Sequence, residues 1–429
     1  MRLISILLLC GMLCAGLLFT ANAFAACKGS EETAAAIRLY SELAEAEARD
    51  DIEGALKLLE KIEALKPPVA SYEVLDRQSG AVSAVVRMLE RHKRDDEAKT
   101  IRQRHKPLKA ELDAVGAAWE AASKSPSEAL KALEGMKIVG QERRIVYTAF
   151  VLPGAVYEYA LSGDFARAEK TYAVFESKDF VNFSCEVNAF RQEALGHIIR
   201  LAGSSLHQKF PIASKYFGIF CEGAGRGVFS ATDAAEAGEQ FIGSLAHHNL
   251  PEEAEKEYAK LLALTPGNAG SRDERFRLRH FQSQAAQRLI DFWGRGEEPL
   301  KAGSAYEKLC AALSGDKAGE AYLIPAAKEL ARTTAKTAEQ CNAILKTVRL
   351  PEIIFVDTDH SSIAMLGDKY VDADMLLLRQ DYLALYSYTF AFAVREGRAD
   401  LAETLYRQSA QWPLDEQAQS FREHMKPVK

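Results

Sequence analysis

The 429-residue chain is predicted to fold as an all-α stack of helical hairpins. Three observations predict it. A short pattern recurs: a turn residue, an alanine five positions on, and a bulky residue four later, as in Gly163, Ala168 and Tyr172. No Asn-Gly or Asp-Gly turn occurs, and no sustained apolar-polar alternation marks a strand. A chain of this length is also too long for one compact core, so it divides into domains or extends by repetition.

Each element of the pattern has a packing reason. Gly163 suits the sharp turn where one helix ends, because glycine carries no Cβ. Ala168 is small where two helix backbones approach closely. Tyr172 and Phe175 lie further along the same face and fill the gap toward the next hairpin. Gly397, Ala402 and Tyr406 repeat the arrangement near the C-terminus. Asn249, Ala254, Tyr258 and Leu261 give it again before Pro266, as do Asp50, Ala55, Leu59 and Ile62 before Pro67. Each of these prolines stops a second helix.

This pattern resembles the second half of a tetratricopeptide repeat. The resemblance is partial: alanines 55, 168, 254 and 402 carry it, and alanines 129 and 302 match more loosely. The intervals between them are 74, 39, 86, 48 and 100, which share no single period. The Trp-Leu-Gly signature of that family's first helix does not form a series. The fold implied is an irregular tetratricopeptide-like α-α superhelix, a solenoid of roughly ten right-handed hairpins. An irregular α-α superhelix outside that family has the same sequence pattern.

Residues 1–25 read as an export signal. Arg2 supplies a positive start, an almost unbroken apolar run follows, and small residues stand at Ala21, Ala23 and Ala25. Two fates are open for the new N-terminus. Phe24-Ala25-Ala26-Cys27 resembles a bacterial lipoprotein box, in which Cys27 becomes lipidated and the signal covers residues 1–26; Phe24 departs from the usual leucine. Simple cleavage after Ala23 or Ala25 is the other. The mature chain is expected in the periplasm, lipid-anchored to the membrane in the first case.

Five cysteines remain after removal of Cys10 and Cys14. With Cys27 lipidated, Cys185, Cys221, Cys310 and Cys341 form an even set, and exported proteins usually pair their thiols. Cys185 and Cys221 are 36 residues apart, and Cys310 and Cys341 are 31 apart, each about one hairpin. Two local disulfides are therefore expected, against the alternative that each cysteine is a small buried apolar residue.

Prolines 107, 126, 153, 211, 251, 299, 325, 351 and 413 are expected at helix starts and ends. The turn formers at 265–271 mark a candidate boundary between a repeat region at 27–266 and a second at 272–429; a long loop within one continuous solenoid reads the same way.

The formal net charge of −6 argues against general nucleic-acid binding. Residues 87–109 nevertheless carry nine Lys or Arg against four acidic residues. That run is either a solvated helix face or a basic stripe for phosphates or an acidic partner. Arg275, Arg277 and Arg279, with Arg272 and Arg288, alternate with Phe276 and Phe281 and form a candidate recognition surface. Tyr382, Tyr386 and Arg395, with Tyr388, are candidate groove-rim residues; packing between helices is the alternative for these aromatics.

Residues 353–374 are the least repeat-like. Asp357, Asp359, Ser361 and Asp368 approximate a calcium loop, but Ser362 replaces its glycine and the final glutamate is missing, so no metal is assigned. Gly223, Gly225 and Gly227 lack the flanking strand and helix of a phosphate loop. His247 and His248 lack partners at ligand spacing. No Gly-x-Ser-x-Gly, His-Glu-x-x-His or Cys-x-x-Cys occurs, so no catalytic residue and no cofactor are assigned. The expected function is a non-enzymatic cell-envelope scaffold that binds a protein or peptide. A self-associating envelope component, or a glycan- or phosphate-active enzyme on a helical platform, is the alternative.

Overall fold

The computed structural model describes residues 30–65, 72–136, 138, 141–177, 180, 185–265, 272–296, 298–316, 319–348, 370–409 and 421–425. The export signal, Cys27, positions 266–271 of the expected boundary and positions 349–369 of the acidic segment lie outside these residues. The side chains of Cys185, Arg272, Asp372 and Asp374 also lie outside them.

The described chain is all-helical, with each helix packed on its neighbours and no strand among the described residues. In order the helices are α1 (Ser30–Ala48), α2 (Ile52–Ala64), α3 (Tyr72–Arg91), α4 (Asp95–Ala122), α5 (Pro126–Gly135), α6 (Gln141–Leu161), α7 (Phe165–Tyr172) and α8 (Cys185–Gly203). Then follow α9 (Phe210–Gly225), α10 (Ala231–His247), α11 (Pro251–Leu262), α12 (Arg272–Arg295), α13 (Pro299–Leu313), α14 (Leu323–Thr334), α15 (Ala338–Leu345), α16 (Tyr370–Arg395) and α17 (Ala399–Ser409).

The chain forms two compact units, Met1–Ala202 with Val228–Ser230, and Gly203–Gly227 with Ala231–Lys429. In the first, α1 packs on α2 and α3, α3 on α4, and α4 on both α5 and α6. In the second, the first helices of successive hairpins, α10, α12, α14 and α16, pack one on the next, and each also packs on its own second helix.

One turn chemistry builds most of the hairpins. Asp50, Lys93, Gly163, Gln208, Asn249 and Gly397 all have φ between 53° and 81°, in the left-handed region. Around five of them the next residue's N–H bonds to the carbonyl five residues back: Asp51 to Ala46, Arg94 to Leu89, Asp164 to Tyr159, Leu250 to Leu245 and Arg398 to Ala393, at 2.8–3.0 Å. This is the Schellman closure, which satisfies the last carbonyls of the first helix. The residue that closes one helix then caps the next, and Asp51 and Asp164 accept from the amides of Gly54 and Arg167.

Five residues past the turn, the small residue's N–H makes the first bond of the second helix. This holds for Ala55, Ala98, Ala168, Ala213, Ala254 and Ala402. Ala129, Ala302 and Cys341 occupy the same helical position after other turns, donating to Ser125, Glu298 and Thr337. All nine side chains are 4% exposed or less. Ala98 and Ala213 were hidden in the sequence because Lys93 and Gln208, rather than Gly, Asn or Asp, take the left-handed turn. With them and Cys341 included, successive positions from 55 to 341 lie 31–48 residues apart.

Neighbouring hairpins are also joined by polar contacts at a near-constant separation. Arg87 reaches Glu47 at 3.2 Å, Arg94 reaches Glu53 at 2.7 Å and Arg104 reaches Glu63 at 2.8 Å, in pairs 40–41 residues apart. In the second unit, Ser214 reaches Glu257, Thr232 reaches the Glu274 carbonyl and Arg332 reaches Asp291, in pairs 41–43 apart.

Two expectations are corrected. Pro107 and Pro153 lie inside α4 and α6 rather than at helix ends; the surrounding packing outweighs the single backbone bond each removes. The Cys310–Cys341 bridge is not formed, and Cys221, Cys310 and Cys341 all carry free thiols. Cys310 lies on α13 and Cys341 on α15, while α14 packs against both helices. Cys341 is fully buried at the position that alanine fills in other hairpins.

Candidate binding cleft

The sequence-predicted residues separate into exposed and structural groups. Arg275 is exposed, and Arg277 lies 3.7 Å from Glu236. Arg279 is 8% exposed and donates to Asp316 at 3.1 Å and Gln282 at 2.9 Å. Gln282 in turn bonds the carbonyls of Leu261 and Leu264. Arg279 is therefore part of a buried network that holds α12 against the end of α11, because its guanidinium needs fixed acceptors when removed from water. It does not belong to an open recognition surface.

Tyr386 is likewise structural: it is 2% exposed and donates to the Leu405 carbonyl at 2.5 Å, tying α16 to α17. Tyr382 is half-buried against it, with ring centroids 5.9 Å apart, and burial pushes its phenol up to about 12. Arg395 remains exposed, its guanidinium 4.2 Å from the Phe392 ring centre. The basic run at 87–109 is exposed but engaged, since Arg87, Arg91, Arg94 and Arg104 pair with carboxylates of the preceding hairpin. Gly223 and Gly225 fall at the C-terminal end of α9, which points carbonyls rather than amides outward. Among the described residues, no group of three His, Cys, Asp or Glu side chains is placed to hold a metal.

A cleft of about 450 Å³ opens in the first unit between α1, α3 and α4. Tyr40 comes from α1; Tyr72, Asp76, Arg77, Ser79, Gly80 and Ser83 come from α3; and Lys109, Leu112 and Asp113 come from α4. Helical spacing puts Tyr72, Asp76, Ser79 and Ser83 on one face of α3. Gly80 admits the Tyr40 ring, since a Cβ there would stand 3.1 Å from it. The Arg77 guanidinium lies 5.9 Å from the centre of that ring. Lys109 bonds both oxygens of Asp113, at 2.9 and 3.0 Å.

Aromatic rings continue the cleft. Tyr72 stacks on Phe150 of α6, with centroids 4.1 Å apart and planes 14° apart. Trp119 of α4 lies 6.3 Å from Phe150 and is 36% exposed. Phe190 of α8 closes the far side edge-on, 5.6 Å away. Beneath, the buried Glu111 carboxylate accepts from Arg143 and from the Tyr147 hydroxyl, both at 3.2 Å. Burial, followed by the charge of Asp76, pushes the Tyr72 phenol up to about 12.

The arrangement offers ring faces, hydroxyls and two charges of each sign, a chemistry of binding. Sequence reasoning missed it because Tyr40, Tyr72, Trp119 and Phe150 share no motif. No family model matches the chain, and no curated protein matches it.

Proposed function

We propose that this chain is a non-enzymatic scaffold of the cell envelope that presents a helical-repeat groove to a protein or peptide partner. The observation that carries the reading is the cleft between α1, α3 and α4, with half-exposed rings continuing from its edge. Half-exposed aromatics beside polar groups are the side chains that most often anchor protein interfaces. A stack of hairpins supplies rigid support for them, because each side chain is held by helices packed on both neighbours.

The envelope location rests on residues 1–25, and membrane attachment rests on Cys27. Intact mass of the mature protein tests both: a lipid-sized increment on Cys27 supports anchoring, whereas an unmodified start at Phe24 or Ala26 leaves export without an anchor.

In-cell photo-cross-linking with probes at Tyr40 and Lys109 tests the scaffold reading. One or two recurrent envelope proteins, recovered from both probes, support it. Loss of those adducts in the Trp119→Ala background would tie them to this cleft. Adducts of the chain with itself alone would replace the scaffold with the self-associating component. That second reading draws on α16, where Tyr388 and Val394 are exposed, Val394 by 56%.

A further inference from the structure

The two sides of the first hairpin–hairpin contact carry opposite charge. Residues 30–64, which form α1, α2 and their turn, hold ten acidic residues against four Lys or Arg, a formal charge of −6. Residues 87–109, from the end of α3 through the first half of α4, hold nine Lys or Arg against four acidic residues, a charge of +5. The ion pairs across the contact follow this division. Glu47, Asp50, Glu53 and Glu63 supply the carboxylates, and Arg87, Arg91, Arg94 and Arg104 the guanidiniums, at 2.7–3.5 Å. His92 and His105 also reach Asp50 and Glu63, at 2.5 and 2.6 Å, so an adjacent Arg-His pair holds each of those carboxylates.

Two further features make this contact responsive to salt. The four arginine side chains are 32–59% exposed, so dissolved ions reach the pairs and screen them, as they do not for buried pairs. The hairpin α1–α2 also begins the described stack, where its helices pack on each other and on α3, whereas α12 lies between α10 and α14. A hairpin in a stack is stabilised by itself and by its interfaces, so one held from a single side opens most readily. Leu43, Leu59 and Ile62 share one apolar cluster with Val85, Met88 and Leu89 and keep the hairpin docked. The ion pairs add to that cluster and set how strongly opening is suppressed.

We infer that the first hairpin is an electrostatically clasped wall of the cleft, and that ionic strength sets how often it opens. Tyr40, on α1, lines the cleft and lies against Gly80 of α3. Movement of α1–α2 off α3 therefore opens the cleft along that side, and low salt holds it shut. The basic run at 87–109 is thus the receptor for an acidic hairpin of the same chain, which accounts for so cationic a segment in a chain of net charge −6. The clasp does not depend on what the cleft binds.

The test is hydrogen–deuterium exchange of the intact mature protein, read by mass spectrometry at one pH in sodium chloride of about 10 mM and about 500 mM. The screening length is about 30 Å at the lower concentration and well under about 10 Å at the higher. Exchange within α1 and α2 should quicken about tenfold at high salt, the joint effect of several exposed pairs that each contribute modestly. Peptides from α10 and α12 are the internal reference and should change by less than about twofold. The triple variant Glu47→Gln, Glu53→Gln and Glu63→Gln keeps side-chain shape while removing the charge. Its α1–α2 amides should exchange fast at both salt concentrations. Circular dichroism shows whether the variant folds, and the salt response of the parent decides without it. Salt-independent exchange of α1–α2 in the parent, an equal acceleration in α10 and α12, or a full salt response in the folded triple variant would overturn the inference. The scaffold reading stands or falls separately, on the cross-linking.

Discussion

Tyr72 and Phe150, 78 positions apart in the chain, stack nearly parallel with ring centroids 4.1 Å apart. The contact joins the start of α3 to the middle of α6 and makes the edge of the cleft continuous with the Trp119 surface. Phe150→Ala is expected to cost about 2–3 kcal/mol, less than the roughly 3–5 kcal/mol of a fully buried phenylalanine because the ring is only half-buried. A double-mutant cycle with Tyr72→Ala, read by urea denaturation, should return a coupling of about 1 kcal/mol. Strict additivity would mean that the two rings do not stay stacked in solution.

Cys341 fills the position that alanine fills in eight other hairpins. Cys341→Ala should therefore change stability by less than about 1 kcal/mol, and Cys341→Leu should destabilise by about 1–3 kcal/mol through overpacking. Thermal melts with and without reductant check this. A melting temperature that falls on reduction in the parent but not in Cys341→Ala would show that the thiol is engaged in a bridge after all.

Glu257 is almost wholly buried; it accepts from Ser214 at 2.6 Å and pairs with Lys260 at 2.7 Å. It clamps α9 to α11, and Glu257→Ala leaves the Ser214 hydroxyl and the Lys260 ammonium without their acceptor. A loss of about 2 kcal/mol is expected, reduced from the value for a fully buried pair because Lys260 is partly solvated. Glu257→Gln should recover part of it by accepting from Ser214. Urea midpoints of the two variants decide.

Alkaline pH should destabilise the protein. Burial is the main cause that pushes Tyr72, Tyr172, Tyr382 and Cys221 up to about 12 and Cys341 up to about 11. Their reference values are 10.0 for the phenols and 9.0 for the thiols. Each group stays neutral in the fold at a pH where the unfolded chain already ionises. The stability they contribute is fully present below pH 9 and is lost as pH rises toward 12. Melting temperatures between pH 8 and 12 should fall across that window. A flat profile would show these groups to be solvated in the native state.

The hairpin pattern was legible wherever the turn residue advertised itself. Gly163, Gly397, Asn249 and Asp50 are the residue types that tolerate a positive φ, and each pointed to an alanine five residues on. Lys93 and Gln208 adopt the same φ without any compositional sign, so nothing local marks Ala98 and Ala213 and the intervals between the marked alanines are aperiodic. By residue type Tyr386 and Arg279 are binding candidates; burial, which composition does not encode, assigns both to packing.

The sequence by itself determined the helices, most of the turns between them and the small residue that lets each second helix approach its first. Those features depend on neighbours within about ten residues, so short-range sterics and backbone hydrogen bonds write them directly into the chain. Tertiary structure alone decided which side chains became a surface. The separation of about 40 residues between packed hairpins sets Tyr40 against Gly80, carries Tyr72 to Phe150 and buries Cys341 in an alanine's place. That register arises from the summed packing of whole helices, and no local pattern records it.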